Sequence, residues 1–318
     1  MNLRYQPAVV AAVLLVSAHA RAAVAQQVEK DLAYGQDPAQ RLDLSTPASV
    51  GFPTVIFIHG GSLTSGDKAD DDYRDACAPF PAAGIACANI NYRLGTAHRW
   101  PAQAQDVAGA VAWLRANVGA RGGDSASLFL LGHSSGAMLA ALLGADERYL
   151  REQGLTTADL RGVMVMGSIM WDDDLQQAME RNGRARIEQR FVRGDDYPMF
   201  ESLDMYLDHW PIQHVRRDMP PYLFLIADSE QVQPPILKTN RTFVERAVAL
   251  GNHAEYQVLP GRSHYSAMHR MSEPGDSAFV LIREFVKKNA KRSALSAERL
   301  APPTSPAHSS SRSSHSNY

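Results

Sequence analysis

The chain has 318 residues, 45% of them hydrophobic, and 32 Lys and Arg stand against 34 Asp and Glu for a formal net charge of −2. That length and apolar content can bury a large core, and they suit one large α/β domain or two small ones. The near-balance of charge, with no basic run outside the C-terminal region, excludes an electrostatic footprint for nucleic acid.

The first segment reads as a secretion signal. Arg4 precedes an apolar stretch from Pro7 to Ala18 that is too short to span a bilayer. Small residues follow, with A-x-A spacing at Ala18-His19-Ala20 and Ala23-Val24-Ala25. We expect residues 1–25 to be cleaved, with Ala20 as the second choice of cut, and the protein to be secreted or periplasmic without membrane insertion. The alternative is a buried N-terminal helix. Export would permit a disulfide, and the chain offers only Cys77, in a helix-like run, and Cys87, in a strand-like one. A bridge and two separate buried thiols both fit.

Next, "VEKDLAYG" and "QRLDLSTP" flank the turn residues "QDPA" and predict an antiparallel strand pair. Continuous apolar runs then recur: "TVIFIHG", "GIACANI", "SLFLLG", "GVMVMGS" and "PYLFLIA". None alternates, as expected of parallel strands buried on both faces. Between them lie helix-like stretches. In "PAQAQDVAGAVAWLRANV" one face is marked by Ala104, Val107, Ala108, Val111, Leu114 and Val118, with Pro101 at the first helical position. Strand–helix alternation predicts a mostly parallel, doubly wound α/β sheet with right-handed crossovers. The rhythm breaks at about 172–220, a charged stretch with Phe191, Tyr197, Phe200, Tyr206 and Trp210, which reads as an inserted lid. A single domain over 26–292 is expected, followed by a disordered tail at 293–318 whose Ser/Pro-rich end lacks large apolar groups.

The chemistry-bearing residues sit where strands end. Ser134 in "LFLLGHSSGAMLAALLG" lies between a strand and a helix, with Gly132 and Gly136 two positions away on each side. A sharp strand-to-helix turn exposes such a serine at a helix N-terminus, and side chains at the two glycines would collide with neighbouring elements. The pair Gly60-Gly61 follows another strand and lets backbone N–H groups face a cavity, as acyl transfer requires for a developing oxyanion. The N–H of Ser135 is a further donor. His264, in a loop after a strand and the Pro260-Gly261 turn, is the candidate base, with His269 the weaker choice. His59 is expected to support the glycine loop, and His133 to be turned away by the elbow. An acid between serine and base in chain order is required, and Asp228 and Glu230 both end a strand there.

These elements together resemble the α/β-hydrolase superfamily. Within it they are similar to microbial serine esterases of the hormone-sensitive-lipase and carboxylesterase type, with kynurenine formamidase-like enzymes close by. The resemblance runs over about residues 28–290 and is carried by "YGQDPAQRLDL", "HGGSLTSGDK", "NYRLGTAHRWPAQAQDVAGAVAWLRANV", "GHSSG" and "PGRSH". It implies hydrolysis of a small-molecule carboxylic ester through Ser134, His264 and an acid. The insert rich in Arg, Asp and Glu, with no long apolar surface helix evident, points to an ester of short acyl chain, and an aryl ester also fits. The resemblance places the oxyanion donors at Gly61, Ser62 and Ser135, with Gly60 shaping the turn. Laid on the family pattern, "PPYLFLIADSEQVQP" puts Glu230 at the acid position and Asp228 two residues early. Two departures stand out: Ser62 replaces a usual third glycine, and Leu63 and Thr64 stand where formamidases carry tryptophan. Hydrolysis of an aryl formamide by the same residues is the nearest alternative, and a hydrolase-fold binding protein without catalysis is the one from another class.

No phosphate-cradling loop or dinucleotide fingerprint occurs, so no cofactor is inferred. Asp70-Asp71-Asp72 and Asp172-Asp173-Asp174 lack the spacing of a cation loop and read as helix starts or solvated turns, so no metal site is expected.

Overall fold

The apolar runs become strands enclosed on both faces. In this computed structural model residues 26–300 are described, except 96, 169, 171–187, 189–191, 193–198 and 232–235, and of 291–300 only the backbone is described. The expected signal segment and the end of the expected tail therefore lie outside the described residues. The strands are β1 (Gln27–Ala33), β2 (Arg41–Thr46), β3 (Phe52–Ile58), β4 (Ala86–Ile90), β5 (Gly123–His133), β6 (Leu160–Met166), β7 (Tyr222–Ala227) and β8 (Ala254–Leu259). The helices are α1 (Ala102–Asn117), α2 (Ser135–Ala145), α3 (Arg148–Glu152), α4 (Leu203–Asp208), α5 (Ile236–Ala249), α6 (Ser266–His269) and α7 (Ser277–Leu300). None of the described helices is long and apolar enough to cross a membrane.

The sheet order is β1-β2-β4-β3-β5-β6-β7-β8. β1 and β2 form the expected antiparallel pair, β2 runs antiparallel to β4, and every pair from β4 to β8 is parallel. Successive side chains point to opposite faces. Leu128, Leu130, Val163, Val165 and Phe224 therefore pack on one side, against α1, α2 and α5. Phe129, Leu131, Met164, Met166, Leu223 and Leu225 pack on the other, with α7 and the turns around Tyr73, Cys77 and Phe80. With both faces covered, most strand positions must be apolar. The exceptions are few, among them Thr54 of β3 and Asn89 of β4, whose amide donates to the Lys68 and Tyr73 carbonyls. Each large apolar side chain contributes roughly 1.5–3 kcal/mol by its burial.

Tertiary contacts settle what the sequence left open. Cys77 and Cys87 are disulfide-bonded, with Cα atoms 5.4 Å apart, and tie the Tyr73–Phe80 turns to β4. The six positions marked on the face of α1 are all buried. Buried Asp106 of that helix takes a two-pronged bond from Arg93, at 2.6–3.1 Å, which holds α1 to the loop after β4. The final helix continues to Leu300, past the boundary expected at 292, through Ala, Arg, Ser and Glu residues that a helix accommodates.

β6 and β7 are neighbours in the sheet, and residues 167–221 lie between them in the chain. Of the expected lid at 172–220, residues 199–220 are largely helical turns rooted in the core. Ser202 caps α4 by accepting the Met205 N–H at 3.1 Å. Phe200, Tyr206 and Trp210 are buried, packed with Trp100 and His209 at ring separations of 4.2–5.9 Å. These three aromatics anchor the segment; Phe191 and Tyr197 lie outside the described residues.

His209 sits at the centre of that aromatic cluster, and burial pushes its pKa down to about 4. The unfolded chain's imidazole titrates at about 6.5. Between these values the unfolded state binds the extra proton, so stability is full above about pH 6.5 and falls as pH drops towards 4, by about 1.4 kcal/mol per pH unit for one proton. Thermal unfolding of His209→Phe across this window should show a shallower decline of Tm than the parent. Parallel curves for the two proteins would mean that His209 is not the titrating group.

Candidate active site

The carboxyl ends of β3, β5, β6, β7 and β8 converge on one edge of the sheet, where ligands bind in open α/β folds. Ser134 leaves β5 with φ 54° and ψ −126°, a conformation disfavoured for a residue with a side chain. Its N–H donates to the Met166 carbonyl at 2.9 Å, and its own carbonyl begins α2 by accepting from Ala137 at 2.9 Å. The flanking glycines behave as expected. A Cβ on Gly132 would lie 2.1 Å from the Gly136 carbonyl oxygen, and one on Gly136 would lie 2.2 Å from that of Ile58. The serine is thus held at the positive end of α2.

His264 and Glu230 are brought together by two loops. His264 Nδ1 donates to Glu230 Oε1 at 2.7 Å, and Glu230 Oε2 accepts the Ala227 N–H at 2.8 Å. The Glu230 carboxylate is 2% exposed, so its two partners replace water. The histidine loop is tied to the acid turn by the Ser229 N–H, which donates to the Arg262 carbonyl at 3.1 Å. Arg262 in turn pairs with buried Asp276, whose other oxygen caps α7 by accepting the Phe279 N–H at 2.9 Å. Asp228 is exposed and not joined to His264. Its carboxylate accepts from Gly261 N–H at 3.4 Å and from Gln231 Nε2 at 2.5 Å, so it braces the turn. His269 pairs with Asp72 at 2.9 Å instead of with Glu230.

The glycine loop lies against the elbow. Gly61, Ser62 and Leu63 have φ of 111°, 55° and 64°, three consecutive left-handed residues. A Cβ on Gly60 would stand 2.8 Å from Ser134 Cβ. Ser135, at the first turn of α2, faces the loop and accepts the Leu63 N–H on Oγ at 3.2 Å. His59 Nδ1 bonds the Gly60 carbonyl at 2.7 Å, and burial lowers its pKa, so it supports the loop as a neutral ring. Lys68 pins the far end of the loop through Asp31 and Asp43, each at 2.8 Å. Asp70 closes a turn by accepting the Asp67 N–H at 2.8 Å, and Asp172-Asp173-Asp174 lie outside the described residues.

The model of the BD-FAE family matches residues 42–237, more than half of the chain. The chain belongs to the BD-FAE family. Among curated proteins it is similar to esterase LipC of Mycobacterium tuberculosis (strain ATCC 25618 / H37Rv), 34% identical over 73% of this chain and 58% of that one. It is also similar to the probable carboxylic ester hydrolase LipM of the same organism, at 28% identity over 79% of this chain and 64% of that one. The chain therefore spans about three-fifths of the length of these relatives. Its backbone superposes on the crystal structure of esterase B from Lactobacillus rhamnosis with a TM-score of 0.67 and 21% identity, over 86% of this chain and 88% of that one. The fold is the α/β-hydrolase fold expected above.

Several residues around this candidate site carry no signature in the sequence. His133 does not point out of the site. As the last residue of β5 it faces the layer that also houses the histidine loop, 4.6 Å from the His264 ring. Its Nε2 donates to the His264 carbonyl at 3.0 Å. Burial, reinforced by His264, lowers its pKa to about 3, so it stays neutral. Tyr73 stands between His59 and His133, at 5.6 and 6.0 Å, and its hydroxyl lies against Gly60. Burial raises its pKa to about 12. The only sequence signal for this column was aromatic and histidine content spread over three separate segments.

Gly167, just after β6, was also missed. It has φ 67°, and a Cβ there would lie 2.7 Å from Glu230 Oε1 and 2.9 Å from His264 Nδ1. Gly167→Ala should push the carboxylate off the imidazole, seen in proton NMR as loss of the downfield Nδ1–H resonance of His264. A resonance unchanged from the parent would show that the loops yield without separating the pair.

Proposed function

We propose that the protein is a serine hydrolase that cleaves carboxylic esters, of short acyl chain or aryl type, through an acyl-enzyme. The observation that carries this is the buried Glu230–His264 bond at the sheet edge that also presents Ser134. A carboxylate that fixes the Nδ1–H tautomer leaves Nε2 free to act as a base. Ser134 Oγ attacks the ester carbonyl carbon while its proton passes to His264 Nε2. The carbonyl π electrons move onto oxygen, and the N–H groups of Gly61, Ser62 and Ser135 receive that charge. The C–O bond to the alcohol breaks, and His264 returns the proton to the leaving oxygen. Water, deprotonated by the same nitrogen, then attacks the acyl carbon and restores Ser134. The esterase names of the similar proteins support an ester over other acyl derivatives.

Residues 172–220 are proposed as the lid that sets substrate choice, rooted by the aromatic cluster around His209. Export is proposed from the leader-like residues 1–25, and the Cys77–Cys87 bond supports it, since such bonds persist in oxidising compartments.

Assay over p-nitrophenyl esters from acetate to palmitate should give the highest kcat/KM at the short end. Ser134→Ala should abolish both turnover and labelling by a fluorophosphonate probe while leaving Tm unchanged. Activity above a few per cent of the parent in that variant would place the nucleophile elsewhere.

The acid is tested separately. Glu230→Gln should lower kcat by about 10²–10⁴-fold, because the amide no longer holds the required tautomer. Asp228→Asn should lower it far less and act mainly on stability through the turn. Saturating-substrate kinetics on folded protein giving the reverse order would transfer the role to Asp228.

A further inference from the structure

Ser135 carries a hydroxyl for which the proposed chemistry has no use; only its backbone N–H takes part. That hydroxyl lies between the two halves of the site. It accepts the Leu63 N–H at 3.2 Å, from the loop after β3, and the Tyr92 hydroxyl lies beside it. Tyr92 is fully buried and donates its single proton to the His59 carbonyl at 3.0 Å. With the Tyr92 proton committed to the His59 carbonyl, the Ser135 O–H is the group able to donate towards the Tyr92 oxygen. The Leu63 end of the segment from His59 to Leu63 is therefore bonded to the side chain that follows the nucleophile, and the His59 end to the tyrosine beside that side chain.

The segment needs holding. Ser62 and Leu63 are non-glycine residues at positive φ, each costing about 1–3 kcal/mol, and such conformations persist only where the surroundings over-determine them. Within the loop, Thr64 and Ser65 N–H groups both close on the Gly61 carbonyl at 3.0 Å, which shapes the turn but does not place it. Placement comes from outside: the Gly95 N–H donates to the Leu63 carbonyl at 2.7 Å on one side and Ser135 holds the Leu63 N–H on the other, alongside the Tyr92 bond to His59 and the Lys68 ion pairs.

We propose that the Ser135 side chain is a positioning residue: its hydroxyl clamps the 60–63 loop to the start of α2 and so sets the spacing between the Gly61 and Ser62 N–H groups and the Ser135 N–H. This rests on the serine-hydrolase proposal and deepens it. Because the oxyanion exists only after attack, loosening that spacing acts on kcat and leaves ground-state binding alone.

The test uses the full chain with p-nitrophenyl butyrate and a trifluoromethyl ketone that mimics the tetrahedral adduct. Ser135→Ala keeps the backbone N–H and should lower kcat about tenfold or more with KM within about twofold. Affinity for the ketone should fall in step with kcat/KM. Ser135→Thr, which keeps the hydroxyl, should recover most of the loss. Tyr92→Phe should show part of it, and the double variant Ser135→Ala/Tyr92→Phe should be no slower than Ser135→Ala. A Ser135→Ala enzyme with parental kcat, or with parental ketone affinity, overturns the clamp. So does an equal loss in Ser135→Ala and Ser135→Thr accompanied by a lowered Tm, which is a packing defect. A parent inert to both the ester and the fluorophosphonate probe removes the hydrolase proposal and the clamp with it, whereas an active parent with an unaffected Ser135→Ala removes the clamp alone.

Discussion

A serine backbone held at φ 54° between a parallel strand and a helix is the constraint around which this molecule is arranged. The conformation costs on the order of 1–3 kcal/mol, and it survives because its surroundings leave no alternative. Below it, β5 is locked between β3 and β6 by parallel ladders. Beside it, the absence of side chains at Gly132 and Gly136 lets α2 press against the end of β3. Above it, the Ser134 N–H is taken by the Met166 carbonyl of β6. The same carbonyl precedes Gly167, whose bare backbone leaves the space that Glu230 and His264 occupy. One strained residue thus sets where two neighbouring strands must end.

Electrostatically the site is built from neutral rings and one buried carboxylate. His59 and His133 are kept uncharged by burial, so neither competes with His264 for Glu230. Together with Tyr92 and Tyr73 they form a continuous aromatic column from the glycine loop to the histidine loop. A charged residue in this column would have to be desolvated without a partner, which a domain of ordinary stability does not tolerate. The column joins the two loops by direct packing: His133 lies against the His264 ring, and Tyr73 stands between His133 and His59. The ion pairs lie further out. Lys68 and Arg262 brace the two loops from behind, away from the groups proposed to react.

The amino-acid order alone determined the class of fold, because strands buried on both faces must be predominantly apolar and the helices between them must carry an apolar face. It also determined the elbow, since Gly132, Ser134 and Gly136 lie within five residues and their steric requirement is local. His264 was readable from a strand end followed by a turn, but the residues left Asp228 and Glu230 both open. The resemblance to the esterase pattern preferred Glu230, and in the folded chain Glu230 is the one buried against His264. Other features required the folded chain. Whether Cys77 meets Cys87 depended on how the Tyr73–Phe80 turns pack on β4. The roles of His133, Tyr73, Gly167 and the Ser135 hydroxyl depend on groups far away in sequence that converge only when the sheet closes, so no periodicity or spacing could announce them. The aromatics Phe200, Tyr206 and Trp210 were ambiguous for the same reason. An apolar ring can line a pocket or anchor a core, and only the position of Trp100, contributed by another loop, decided for the core.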